Sequence, residues 1–160
     1  MNRKIIKQKI EESLTESQMD FNIIENKKRE WINFSLNFKQ NNSLSNEIFS
    51  NEEAYISIYK NYMVFHLFGW EYLEKFIIDD EKSGINFLKL LNSFLEKRMK
   101  LKVYCSKYHI YKWKVYILNE NQWKLSYQNH KFFHFFYSED KVFEINTEYF
   151  SKIKTEKLKN

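Results

Sequence analysis

At residue 100 the spacing of apolar side chains changes from a helical period to a period of two, and this change constrains the fold more than any other feature of the chain. Before it, Phe87, Leu88, Leu91, Phe94, Leu95 and Met99 form one stripe with Lys89, Asn92, Glu96 and Lys97 off it, which predicts an amphipathic helix over 85–100. After it, Leu101/Val103/Cys105, Tyr111/Trp113/Val115/Ile117 and Trp123/Leu125/Tyr127 alternate with polar residues, as half-buried strands do. The segments FFHFFY and VFEI follow across short polar turns. About five short strands in succession predict an antiparallel meander.

The first half is less regular. Ile5, Ile6, Ile10 and Leu14 predict a short amphipathic helix over 3–17, and Ile32, Phe34, Leu36 and Phe38 alternate as a strand before the loop NNSLSN. Residues 53–68 admit two readings. Ser50 and Glu53 fit a helix capping box, whereas the β-branched and aromatic runs Tyr55–Tyr59 and Tyr62–Phe68, split by Lys60 and Asn61, favour a hairpin. Trp70, Leu73, Phe76 and Ile77 recur at helical spacing, and DDEKSG around Gly84 is expected to end that helix. The tail from Thr147 to Asn160 is expected to form a short helix held by Phe150 and Ile153. Helical and hairpin elements packed on a C-terminal meander define the α+β class. With no repeat and no Pro/Gly/Ser linker, residues 1–160 are expected to fold as one globular domain.

Two composition facts narrow the function. Gly69 and Gly84 are the only glycines, too few for a phosphate-binding loop, a dinucleotide fingerprint or a G-x-S-x-G nucleophile elbow. The single cysteine, Cys105, permits no internal disulfide and fits a reducing compartment. The opening MNRKIIKQKIEESLTES interrupts its apolar residues with charges, and the longest nearly apolar run, Tyr62–Trp70, is far short of the roughly 20 residues that span a bilayer. A soluble, cytoplasmic protein with no membrane partner is expected.

Charge is distributed unevenly. Residues 1–80 hold 10 Lys/Arg and 13 Asp/Glu, residues 81–160 hold 16 and 8, and between Lys97 and Lys131 nine cations stand against Glu120 alone. Alternation sends Lys102, Tyr104, Lys112, Lys114, Tyr116 and Lys124 to the sheet face opposite the Trp113 stripe. Aromatic rings among cations suit an acidic protein partner or stacked, single-stranded nucleic acid, and also occur on a plain solvated sheet face. Only Arg3, Arg29 and Arg98 supply the planar fork used for bidentate phosphate or base recognition, which weighs against sequence-specific readout. An AT-rich coding sequence also favours Lys, Asn, Ile, Phe and Tyr.

The sequence holds three other constellations of chemically active residues. Cys105, His109, His130 and His134 can be written as a tetrahedral zinc pattern, but ligands four apart on a strand lie about 13 Å from each other, too far for one ion. Glu71, Glu74, Asp79, Asp80 and Glu81, with Lys82 nearby, read as a solvated helix terminus before they read as a magnesium site. Cys105 lies four residues from His109, yet on an inward stripe where a free thiol usually packs. No metal, cofactor or catalytic residue is expected, so the enzyme class ranks last. In overall style the chain resembles toxin-immunity or phage-encoded inhibitor proteins, a likeness of type that carries no motif and no residue roles. The expected function is a non-enzymatic protein-binding domain that inhibits or sequesters a macromolecular partner with an acidic surface. Nucleic-acid binding through the Lys/Tyr face is the alternative.

Overall fold

The computed structural model describes residues 2–40, 54–67, 75–106, 109–130, 141–146 and 150–152. Helix α1 (Arg3–Glu16) leads into strands β1 (Asp20–Asn26), β2 (Trp31–Gln40), β3 (Ala54–Ile58), β4 (Tyr62–Leu67) and β5 (Lys75–Ile77). Helix α2 (Glu81–Leu95) follows, then β6 (Met99–Ser106), β7 (His109–Asn119), β8 (Gln122–His130), β9 (Lys141–Asn146) and β10 (Phe150–Lys152). All pairings are antiparallel. One sheet runs β1-β2-β3-β4-β5 with β10 also on β2, and the other runs β8-β7-β6-β9. The class is α+β, as the periodicities predict.

Both helices are fixed at both ends by local hydrogen bonds. Asn2 caps α1 by accepting from the Ile5 amide at 2.9 Å, and Asp80 caps α2 by accepting from the Lys82 amide at 3.1 Å. At the far ends, Gln18 and Lys97 adopt φ 55° and 60°. The amides that follow reach back as Met19 to the Leu14 carbonyl, 2.9 Å, and Arg98 to the Ser93 carbonyl, 2.8 Å. This is the Schellman closure, here formed without glycine.

The apolar faces meet in one core. Ile6, Ile10 and Leu14 of α1 join Phe34, Ile56, Ile58, Met63 and Phe65 from the first sheet. Phe87, Leu90, Leu91 and Phe94 of α2, with Leu101, Val103, Trp113 and Val115 from the second sheet, belong to the same cluster. Helix α2 touches β5 of one sheet and β6 and β7 of the other, so it bridges them. Phe94 meets Phe65 edge-on at 5.2 Å, and Phe87 meets Phe76 likewise at 5.2 Å. Among the described residues, no helix is long and apolar enough to cross a membrane.

Several elements differ from the expectations. The segment 54–67 is the hairpin β3–β4, not a helix. Lys75–Ile77 is a strand where a helix was expected, because Phe76 pairs with Met63 and turns into the core while Ile77 turns out. Trp70 and Leu73 lie outside the described residues. The DDEKSG segment starts a helix instead of ending one: Asp80 is the cap of α2 and Gly84 is buried within it. Helix α2 ends at Leu95, five residues short of the expected end, and Met99 opens β6. Strand β1 was not anticipated, since Ile23 and Ile24 point to opposite faces and spoil its alternation. In the second sheet β6, β7 and β8 form a meander, but β9 returns to the open side of β6. The FFHFFY segment lies outside the described residues, as do 147–149 and 153–160 of the expected tail helix. Between them, Phe150–Lys152 is strand β10.

Candidate functional site: the outer face of the C-terminal sheet

Register decides which side chains share the outer face. Lys100, Lys102 and Tyr104 on β6 stand opposite Tyr116, Lys114 and Lys112 on β7, so these six occupy one face. The inner face between them is filled by Leu101, Val103, Trp113 and Val115, all buried. Five of the six expected site residues, Lys102, Tyr104, Lys112, Lys114 and Tyr116, are therefore brought together.

Lys124 is not. A β-bulge on β8 adds one residue between Tyr127, which pairs with Val115, and Leu125, which pairs with Tyr116. Beyond the bulge every side chain of β8 is on the face opposite to that given by uninterrupted alternation. Lys124 pairs with Ile117 and lies on the core side of the sheet at its solvated margin. Leu125 and Trp123, expected to point inward, lie on the outer face, 48% and 39% exposed.

Rings and ammonium groups interleave across this face. The Lys112 and Lys114 Nζ atoms stand 5.0 and 5.7 Å from the Tyr104 ring centre. The Lys100 and Lys102 Nζ atoms stand 5.8 and 5.9 Å from the Tyr116 ring centre, and Lys100 also lies 4.6 Å from the Trp123 ring. Each such contact is worth about 0.5–1 kcal/mol at a solvated site and orders side chains that would otherwise sweep freely.

Among the described residues, Glu144 on β9 is the acidic member of this face. It pairs with Lys102, and its Oε1 and Oε2 lie 3.1 Å from Lys100 Nζ and 3.2 Å from Lys102 Nζ. Partial burial pushes the Glu144 carboxyl upward, but hydrogen bonds from Lys100 and Lys102 and their positive charge outweigh it and hold the group below its ordinary range. The hydrogen bond to Glu144, with its negative charge, raises the Lys102 ammonium above its ordinary value. Four lysines against one glutamate leave the described part of the face with a net charge of +3.

Sequence reasoning missed four members of the face. Lys100 was assigned to a helix, Trp123 and Leu125 to the core, and Glu144 to no site at all. VFEI read only as a strand segment, and nothing in its pattern says that β9 pairs with β6.

The other constellations fall largely outside what the structure describes. That holds for His134, Glu71 and Glu74, and for the side chains of Cys105, His109 and His130. Asp80 serves as a helix cap. Among the described residues, no group of three or more His, Cys, Asp or Glu is placed to hold a metal ion. Comparison with protein-family models, with curated proteins and with solved structures finds no match to the chain.

Proposed function

We propose that this chain is a non-enzymatic protein-binding domain, and that the outer face of its C-terminal sheet receives an acidic surface of a macromolecular partner. The observation that carries the reading is the placement of exposed Trp123 and Leu125 next to Lys100 and on the same face as Lys102, Lys112 and Lys114. Interfaces concentrate their binding energy in a few aromatic and apolar anchors, and charged neighbours steer the encounter and set its register. Trp123 and Leu125 are suited to anchoring, and the lysines to attracting carboxylates.

Nucleic acid fits this face less well. Single-strand binders present open ring faces to successive bases, but the ring faces of Tyr104 and Tyr116 already carry lysine ammonium groups. Binding would act by occlusion or sequestration, in the manner of an immunity or phage-inhibitor protein working in the cytoplasm.

The test is capture from a lysate of the native host on immobilised protein. The wild type, a Trp123→Ala/Leu125→Ser variant and a Lys124→Ser variant are compared, after circular dichroism has shown each to be folded. The reading expects a protein held by the wild type and Lys124→Ser and lost by Trp123→Ala/Leu125→Ser. Capture of nucleic acid in place of protein, or equal capture by all three, would overturn it.

A further inference from the structure

The strand at the margin of the first sheet offers a second surface, independent of the face described above. Strand β1 pairs with β2 in unbroken register from Asp20↔Asn37 to Asn26↔Trp31, and among the described residues nothing pairs with its other side. Residues 22–25 are all exposed. Ile23 and Ile24 are adjacent, 41% and 57% exposed, and project to opposite faces of the sheet.

Sheet edges are ordinarily protected from pairing by a bulge, a proline, a clustered charge or brevity. The second sheet's β8 edge is interrupted by its bulge, and the first sheet's other edge, β5, has only three residues. Strand β1 has seven residues, no bulge, and two isoleucines at its centre.

The charges around β1 identify what pairs with it. Glu16 and Asp20 stand at its start, and Lys27, Lys28 and Arg29 form the turn after its end. The acid at that turn, Glu30, is paired with Lys60 at 3.4 Å, so the turn is predominantly basic. Glu25, near the end of the strand, is paired with Lys7 at 4.0 Å, so the strand has a negative beginning and is followed by a basic turn. An antiparallel copy of the same strand brings each beginning against the other copy's end.

We infer that β1 is a homodimerisation edge, along which two copies of this chain pair antiparallel about Ile23. In this two-fold arrangement Ile23 meets its own counterpart, Asn22 meets Ile24, and Asp20 meets Asn26. Lys27 and Lys28 of each copy then approach Glu16 and Asp20 of the other. The two five-stranded arrays become one continuous sheet, and the exposed isoleucines are covered by isologous contact.

Sedimentation velocity across micromolar to sub-millimolar concentrations tests this with the full chain. A concentration-dependent dimer is expected, with its dissociation constant raised at least about tenfold by Ile24→Lys, a change of roughly 1.4 kcal/mol. A charge exchange guards against a merely misfolded variant. Lys27→Glu/Lys28→Glu and Glu16→Lys/Asp20→Lys chains should each dimerise more weakly than the wild type, whereas an equimolar mixture should form the heterodimer, because both contacts in it again join opposite charges. A monomer at every concentration overturns the inference. So does a dimer unaffected by Ile24→Lys, or a mixture of the charge variants that associates no better than its parts.

Discussion

Tyr116 stands opposite Leu125, not opposite Ser126 as unbroken pairing with β8 would require. That single-residue shift places Leu125 and Trp123 on the outer face and moves Lys124 off it. Leu125→Ala should therefore change stability by no more than about 0.5 kcal/mol, the usual range for exposed positions. Were Leu125 a core residue, as plain alternation predicts, the same change would cost about 2–5 kcal/mol. Denaturant midpoints at unchanged m-value separate the two outcomes.

Leu91 is fully buried on α2, within the cluster that joins the two sheets. Leu91→Ala should cost about 2–5 kcal/mol, and Leu95→Ala, near the helix end, should fall toward the lower part of that range. Equilibrium unfolding monitored by circular dichroism measures both. A wild-type midpoint for Leu91→Ala would contradict the packing described for α2.

The Glu144 clamp has a pH signature. Its carboxyl is held below the ordinary value, so the stability it contributes is present above the unfolded-state pKa and is lost as pH falls through the lowered folded value. Lys102 is raised, so its share is present below its unfolded-state pKa and is lost as pH rises through the raised folded value. Wild type should exceed Glu144→Gln in stability by a small, constant margin between these limits. The margin should vanish in acid below the ordinary carboxylate range, and again in strong alkali. Because Glu144 is a partly exposed surface group, added salt should reduce the margin. A margin that persists unchanged into acid would contradict the clamp.

What was legible in the sequence followed from regular periods. Phe87, Leu91 and Phe94 marked a helix face, and Val103, Trp113 and Val115 marked the inner side of a sheet, because burial against one core imposes one spacing per element. The end of α2 was not legible, since its left-handed closing position is occupied by Lys97 where glycine would have given the signal. The bulge in β8 was hidden because a one-residue insertion leaves no compositional trace while reversing every side chain beyond it. Hence Lys102, Tyr104, Lys112, Lys114 and Tyr116 were placed together from sequence, and Lys124 was placed among them wrongly. Glu144 required the long-range pairing of β9 with β6, which no local pattern encodes.

The most direct test of the proposed binding face is the affinity of the captured partner, titrated at several salt concentrations. The comparison is between wild type, Lys102→Ser/Lys112→Ser/Lys114→Ser and Lys124→Ser, each shown to be folded. Removing three clustered cations should weaken binding and flatten its dependence on salt, because the attraction lost is the part that ions screen. Lys124→Ser should bind as the wild type does, since that lysine lies on the other side of the sheet. Wild-type affinity and salt dependence for the triple variant would contradict the account.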